Sequence, residues 1–392
     1  MKRILLLISA LLVSICCGAQ GWLEGVLREV ESNNPELKAM AAEVEAERIA
    51  NRGEALLQNP EVEFGQLWGA EGIGNRHDVR VSQPFDVATI SGLRAGKAAT
   101  LDEISYLKYR AGRIEVLLDT WLTCIDLVHC NALLSELSTH LSQAGTLVEA
   151  CQKKLAAGSA TVLDLNKAKI HLAAVQGEVN SLETLRNELL ATLKSLNGGI
   201  DIPFEHTVYD IGTTQPESFE EWYENAAANN PLMEYARAQV SLEERQLAID
   251  KASRLPEFSL GYMSEIRTVE KFRGVTVGVS VPLWSAANKV RRSKAGLAAA
   301  ESRKEASEKR FRLELEKEYA RALALRANAE MTRSSLAETD NRDFLLTALT
   351  KGEISMVDYL VETDLYYETL ERTLETERDY RKAVATLQSV CL

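Results

Sequence analysis

The most constraining feature of this 392-residue chain is an internal repeat. The tripeptide Asn33-Asn34-Pro35 recurs as Asn229-Asn230-Pro231, an offset of 196 positions (229 − 33), and Pro60-Glu61 recurs as Pro256-Glu257 at the same offset. Such a repeat implies two copies of one structural unit. In each copy the pattern predicts a helix, a short β-hairpin and two very long helices, a content that no ordinary enzyme domain has.

The N-terminus has the pattern of a secretory signal peptide. Lys2 and Arg3 form a charged region, an apolar run follows at 4–15, and Cys17-Gly18-Ala19 supplies small residues before cleavage ahead of Gln20. The run is shorter than the roughly 20 residues that span a bilayer, and no later stretch approaches 18 consecutive apolar residues. We therefore expect an exported protein that is soluble, lipid-anchored or a β-barrel.

The alternative at the N-terminus is a lipoprotein signal, with Cys16 or Cys17 retained and acylated. The residues before them, Ile15 and Cys16, are not the small residues that such a site requires. The prediction of a cleaved signal peptide is therefore preferred.

Composition argues against several classes of function. The net charge of −12 becomes −14 once Lys2 and Arg3 are removed, which disfavours nucleic acid and anionic membrane surfaces as partners. Nucleophile, phosphate-binding, zinc-protease and dinucleotide motifs are all missing from the sequence. We therefore predict no enzyme activity, no cofactor and no metal site. The five histidines lack i+3 or i+4 partners: His77, His129, His140, His171 and His206.

The cysteines of the mature chain show no metal-binding spacing. Cys124 and Cys130 lie nearly two turns apart on one helical pattern, too far for a disulfide. Together with Cys151 they are expected to be buried helix-face residues. Cys391 lies at the C-terminus.

Both hairpins alternate with period two, and only one face is apolar. In the second copy Phe258, Leu260 and Tyr262 face one way, and the returning strand repeats valine at every second position: Val275, Val277, Val279 and Val281. The strands are about ten residues long, which suits a tilted strand that crosses a bilayer. We predict these seven residues as the lipid-facing positions.

Two hairpins in one chain leave open strand edges, which a membrane does not tolerate. Membrane-spanning strands would therefore require several chains to close one barrel. The alternative is a small soluble sheet packed against the helices, and the alternation alone does not decide between them.

Long helices follow each hairpin. The first is predicted from Ile90 to Lys154, with apolar residues at steps of three and four that indicate coiled-coil packing. The second runs from about Ala286 to Lys351. Gly158 and Gly352 end these helices, and each is followed six residues later by an aspartate, Asp164 or Asp358. Returning helices are predicted at 162–196 and 356–392.

The two aspartates carry alternative interpretations. A carboxylate in the first turn of a helix interacts favourably with the helix dipole and so stabilises the helix. If several chains formed a tube, the same residue from each chain would make a ring of carboxylates around a pore, and such a ring favours cations.

The ordered, duplicated set of Asn-Asn-Pro junctions, Pro-Glu strand starts and Gly-x5-Asp turns resembles the TolC-type outer-membrane efflux protein family. The resemblance covers essentially the whole mature chain. It implies a homotrimer in which four strands per chain make a twelve-stranded β-barrel in outer-membrane lipid, while antiparallel coiled-coil helices form an α-barrel tunnel in the periplasm.

The resemblance also implies site residues. The helical turns would form the periplasmic tip that contacts a periplasmic adaptor protein: Ala157, Gly158, Ser159, Lys351, Gly352 and Glu353. Asp358 matches a gate carboxylate, with Asp164 as its counterpart in the first copy. The family's second acid is replaced by Val361, and the neighbouring Glu362 is the substitute candidate.

The function implied is a passive outer-membrane exit duct of a tripartite efflux system that is driven by an inner-membrane pump. A resistance-nodulation-division pump is favoured, with heavy-metal cations among the candidate substrates and drugs or proteins as alternatives. The rival interpretation is a periplasmic coiled-coil adaptor or scaffold without channel activity.

These signals divide the chain into four segments that contain two hairpins. The segments are the signal peptide at 1–19, repeat one at 20–197 with its hairpin at about 60–85, an equatorial linker at 198–217, and repeat two at 218–392 with its hairpin at about 256–283.

Overall fold

The structure, a computed structural model, describes residues 21–70, 74–209, 218–267, 270–282 and 288–390, apart from the side chain of Asp343. The predicted signal peptide, part of the linker and Cys391 lie outside the described residues.

The described part of the chain contains ten helices and four strands. The long elements follow the same order in the second half of the chain as in the first. The elements are α1 (Trp22–Asn33), α2 (Pro35–Glu54), β1 (Glu61–Leu67), β2 (Arg76–Phe85), α3 (Val87–Ile90), α4 (Leu93–Ala156), α5 (Val162–Leu196), α6 (Phe219–Asn229), α7 (Pro231–Ala252), β3 (Glu257–Arg267), β4 (Lys271–Ser280), α8 (Lys289–Thr339), α9 (Arg342–Lys351) and α10 (Met356–Ser389). The duplication itself stays a prediction from the sequence.

The Asn-Asn-Pro junctions lie where one helix ends and the next begins. The side chain of Asn34 accepts a hydrogen bond from the backbone N–H of Leu37 at 2.9 Å, and that of Asn230 accepts one from Leu232 at 2.9 Å. Proline follows at the first helical position in both cases, where its missing N–H costs nothing.

The first long helix begins later than the sequence predicts. The short helix α3 ends at Ile90, and Gly92 adopts a φ of 75° before α4 begins at Leu93. A left-handed residue cannot continue a right-handed helix, so this glycine separates the two elements.

The prediction of one continuous helix up to Lys351 is wrong, because helix α8 ends at Thr339. The carboxylate of Asp340 accepts hydrogen bonds from the backbone N–H of Arg342 at 3.3 Å and from its Nε at 2.9 Å. Aspartate and asparagine side chains compete with helical backbone bonds in this way. A new helix, α9, begins at Arg342.

The four strands form one antiparallel sheet in the order β1-β2-β3-β4. The pairing of β2 with β3 runs from Arg76–Arg267 to Phe85–Phe258. Pro84 lies within β2, opposite Ser259 on β3 and beyond the last β1–β2 pair, which is Glu61–Ser82. Its missing N–H therefore interrupts no pairing with β1.

The chain divides into two compact units: one contains residues 21–38, Arg113–Ala226 and 312–390, and the other contains Ala39–Gly112 and Ala227–Phe311. The second unit holds the sheet and a cluster around Ile104, Leu107 and Ala238. The first unit contains two larger clusters formed by α4, α5, α9 and α10. They include Leu133, Leu137, Leu147, Val148, Ala168, Val179, Leu345, Met356, Tyr359 and Tyr367.

Among the described residues, one helix, α4, is long and apolar enough to cross a membrane. An 18-residue window within α4 has a hydropathy of 1.3, but 72% of that window is buried inside the protein. Packing in the helical core accounts for this apolar composition.

The three cysteines on α4 are free and buried. Burial raises the pKa of Cys124 to about 12 and that of Cys130 to about 11. Thiols with raised pKa values in apolar surroundings are unreactive, as expected for packing residues.

Candidate functional site

One face of the sheet is apolar and open to solvent, and we call it the apolar sheet face. Strand register aligns its side chains in rows, since Phe258 pairs with Val279, Leu260 with Val277 and Tyr262 with Val275. The first hairpin extends the rows because Val81 pairs with both Tyr262 and Val62. The exposed apolar side chains that define this face are Val62, Phe64, Val79, Val81, Phe258, Leu260, Tyr262, Ile266, Val275, Val277 and Val279.

The exposure of this face is the unusual observation. Val275 and Val277 are 74% and 73% exposed, and Phe64 is 68% exposed. Contiguous apolar surface of this kind on a single chain marks a contact with protein or lipid. Val281, predicted to belong to the β4 row, lies just beyond the end of β4 at Ser280, because pairing with β3 stops at Glu257.

The opposite face is polar and carries a set of ion pairs. Arg80 lies 3.4 Å from Glu63 on the neighbouring strand, and Arg76 lies 3.2 Å from Glu265. Arg267 also reaches Glu265, at 2.7 Å. Cross-strand pairs of opposite charge stabilise the sheet and make this face hydrophilic.

The sheet of one chain has two open edges. Within the described residues, β1 pairs with β2 alone and β4 pairs with β3 alone. Each outer strand therefore presents unpaired backbone N–H and C=O groups, which is the condition that favours strand pairing with a further chain.

The predicted tip residues form two similar helical turns, which we call the tip turns (157–159 and 351–353). Gly158 and Gly352 adopt φ values of 72° and 81°. The next residues donate back to the helix: Ser159 N–H to the carbonyl of Lys154 at 2.8 Å, and Glu353 N–H to that of Ala348 at 2.9 Å. This is the Schellman pattern, for which glycine is suited.

A lysine joins the two tip turns. The Nζ atom of Lys154 donates to the carbonyl oxygens of Leu349 and Thr350, at 3.2 and 3.1 Å. These carbonyls belong to the last turn of α9, where a helix lacks internal donors. The contact fixes the end of α4 to the end of α9.

The two predicted gate aspartates each close a capping box. Asp164 exchanges hydrogen bonds with Thr161, and Asp358 does so with Ser355. The hydroxyls donate at 2.6 Å in both boxes, and they hold the pKa of each carboxyl below its ordinary value. Glu362 is exposed one turn further along α10. Helix capping by the two aspartates therefore occurs within a single chain, whereas a ring of carboxylates requires further copies of the chain.

The structure also brings together two histidines that sequence spacing did not associate. The Nε2 atoms of His140 on α4 and His171 on α5 lie 3.2 Å apart, and both side chains are buried. They are 31 positions apart, so only the antiparallel packing of two helices makes them neighbours. No local signal could have identified this pair.

Several solved structures share the fold. The Campylobacter jejuni CmeC outer membrane channel matches with a TM-score of 0.76 and 14% identity, over 94% of this chain and 85% of that one. CusC matches at 0.75 and 15%, over 94% and 91%. The open state of the Neisseria gonorrhoeae MtrE outer membrane channel matches at 0.72 and 10%, over 94% and 88%.

The sequence itself matches no family model and no curated protein. At these identities the likeness establishes the fold. The chain has the fold of the TolC-type outer-membrane channels, with long helices and a four-stranded antiparallel sheet, and the predicted fold class is confirmed apart from the internal duplication, which stays a prediction from the sequence.

Proposed function

We propose that this protein is an outer-membrane exit duct of a tripartite efflux system. It conducts substrates passively from an inner-membrane pump and a periplasmic adaptor to the exterior, and it performs no catalysis. Its location is the outer membrane, with the helices extending into the periplasm.

One observation carries the proposal, namely the sheet that is apolar on one face, ion-paired on the other and open at both edges. An apolar outer face suits lipid, a charged inner face suits a water-filled lumen, and open edges require closure by further copies. A homotrimer gives three times four strands, an even number within the range of outer-membrane barrels. The fold shared with outer membrane channels supports the same assembly.

The tip turns are proposed to contact the adaptor. They are exposed, structurally similar and linked through Lys154. Asp358, with Asp164 and Glu362 as further candidates, is proposed to supply the carboxylates of the periplasmic gate. Asp358 and Glu362 are exposed and Asp164 is half-buried, so these side chains can face a lumen once three chains assemble. The lowered pKa values of Asp164 and Asp358 keep those two carboxyls charged.

The experiment that tests the proposal is membrane fractionation followed by planar-bilayer recording of the detergent-purified chain. An outer-membrane trimer with discrete conductance steps is the expected result. A protein that is extracted without detergent, remains monomeric and gives no conductance would contradict the duct and favour the rival periplasmic scaffold. Survival assays with metal cations and with drugs, in cells lacking the chain, then distinguish the substrate classes.

A further inference from the structure

His140 on α4 and His171 on α5 face each other, and the proposed duct function gives no role to this pair. Their imidazole rings are 5.0 Å apart at the centroids and tilted by 58°. His140 is 3% exposed and His171 is 9% exposed. The Nδ1 atom of His140 is buried without a hydrogen-bond partner among the described residues. A buried imidazole pair of this kind requires a ligand or a specific structural reason.

We propose that His140 and His171 bind one divalent cation of the zinc class, with the Nε2 atom of each ring as a ligand and water at the remaining positions. The site lies within the first of the two compact units, the one that contains Arg113–Ala226, and it does not depend on the duct proposed above. In the metal-free chain the same two nitrogens share one proton in a histidine–histidine hydrogen bond.

The separation of the two nitrogens supports this site. Zinc–nitrogen bonds of about 2.0–2.1 Å at tetrahedral angles place two nitrogen ligands of one ion about 3.3–3.4 Å apart. The observed distance is 3.2 Å. An ion can therefore be accommodated with a small outward shift of the rings rather than a rearrangement of the helices.

The rings are held from both sides. Tyr367 on α10 stacks on His140 with centroids 3.7 Å apart and planes 7° from parallel. The Nδ1 atom of His171 lies 3.7 Å from the Asp364 carboxylate, whose side chain is 67% exposed. A carboxylate beside the non-ligating nitrogen is the usual outer partner of a metal-bound imidazole. It orients the ring and makes the ligating nitrogen more basic, and so a stronger metal ligand.

Both rings are in the protonation state that binds metal. Burial, and then the neighbouring His171, lower the pKa of His140 to about 4, and burial also lowers the pKa of His171. The imidazoles are therefore neutral at physiological pH. One Nε2 atom carries the shared hydrogen in the metal-free pair, so binding of the ion requires that hydrogen to move to the Nδ1 atom of the same ring.

The approach to the pair attracts cations. An open groove between α5 and α10 reaches both rings, and acids line it together with one lysine: Glu178, Asp364, Glu368, Glu371 and Lys167. Burial first, and then repulsion from Glu371 and Asp364, raise the pKa of Glu178. That repulsion shows an excess of negative charge, which a bound cation relieves.

Within the described residues no group of three His, Cys, Asp or Glu converges on one point. Two protein ligands therefore define an open site with exchangeable water. We expect reversible binding, weaker than that of a closed structural zinc site.

The test is a zinc titration of the chelator-treated, detergent-purified full chain. One Zn²⁺ per chain and a raised melting temperature are expected. His140→Gln and His171→Gln should each weaken binding at least tenfold, and Asp364→Asn should weaken it about 10–100-fold through loss of the outer carboxylate. His129→Gln is the matched control, since His129 is also a buried histidine on α4 and lies outside the pair.

Copper electron paramagnetic resonance on the unmodified chain supplies a readout that needs no variant. Nitrogen hyperfine splitting from two equivalent imidazoles is the expected spectrum. Failure of the unmodified chain to bind zinc, or equal binding by the chain and both glutamine variants, overturns the site and leaves a histidine–histidine hydrogen bond. Neither result changes the bilayer recordings, so the two proposals fail independently.

Discussion

At the residue scale, Val277 lies in the middle of β4 with 73% of its surface exposed on the apolar sheet face. Val277→Arg should block assembly in the outer membrane, because a charge on the lipid face costs about 2–4 kcal/mol near the bilayer midplane. Outer-membrane yield, measured by fractionation and immunoblotting, checks this expectation.

The matched control is Gly274→Arg on the polar face of the same strand. A Cβ atom added at Gly274 meets nothing within 4 Å, so the side chain can leave the backbone without a clash. This variant should assemble normally, since the charge faces away from lipid. Equal yields from the two arginine variants would show that β4 does not face the membrane as proposed.

Asp358 combines a capping role with the proposed gate role, and two substitutions separate them. Asp358→Asn removes the charge and should reduce the preference of the channel for cations, as measured by reversal potentials. Ser355→Ala removes the capping hydroxyl but keeps the carboxylate, and it should leave the reversal potential unchanged. A shift in both variants would assign the effect to helix capping.

The pH dependence of that preference follows from the same hydrogen bond. The Ser355 hydroxyl holds the pKa of Asp358 below its ordinary value of 3.8. The charge is therefore present at and above that pH and is lost only as the pH falls through the lowered pKa. Reversal potentials recorded from neutral to mildly acidic pH should be constant, and a change centred above pH 5 would point to another group.

At the element scale, the tip turn at Gly352 requires a left-handed residue, with a φ of 81°. Gly352→Ala should destabilise the turn by about 1–2 kcal/mol and impair efflux-dependent resistance without loss of the barrel. Gly145→Ala, in the interior of α4 where an added Cβ meets nothing within 4 Å, is the control and should stabilise its helix slightly. Normal resistance in the Gly352 variant would argue against the adaptor contact.

The break between α8 and α9 is anchored by Arg342. Its guanidinium contacts Asp340 at 2.8 Å and Glu136 on α4 at 3.0 Å, and it lies 4.4 Å from the centroid of the Tyr366 ring. Arg342→Ala should lower the free energy of unfolding by about 1–2 kcal/mol through the lost ion pairs and cation–π contact.

Thermal melts compare this variant with Arg372→Ala. Arg372 makes an exposed pair with Glu368 one turn away, and such pairs contribute about 0.3–0.5 kcal/mol. Similar melting temperatures for the two variants would show that the break does not depend on its tertiary contacts.

At the scale of the whole molecule, closure of the barrel predicts contact between β1 of one copy and β4 of the next. Within one chain these strands are three steps apart, about 14 Å at 4.7–4.9 Å per step. A Glu63→Cys, Gly274→Cys double variant treated with a short bifunctional thiol reagent should give a ladder that ends at three chains on denaturing gels. Each single variant is the control, and a ladder that continues past three or stops at one contradicts the trimer.

The sequence by itself determined the features whose causes lie within a few residues. Valine at alternate positions of β4 indicated a strand with one apolar face, and a glycine followed six residues later by an aspartate indicated each tip turn. The helical spacing of apolar residues likewise predicted the buried side of α4. Backbone geometry and short-range hydrogen bonds decide these features, so they are legible in the order of residues.

Only the tertiary structure decided the features whose partners are distant in the chain. The helix break after Thr339 brings Arg342 to Glu136, and the facing of His140 and His171 arises because α4 and α5 pack against each other. Side-chain contacts between helices depend on their relative rotation and axial position. These are fixed by packing of the whole core rather than by any local signal, so neither the anchor at Arg342 nor the histidine pair could be predicted from spacing.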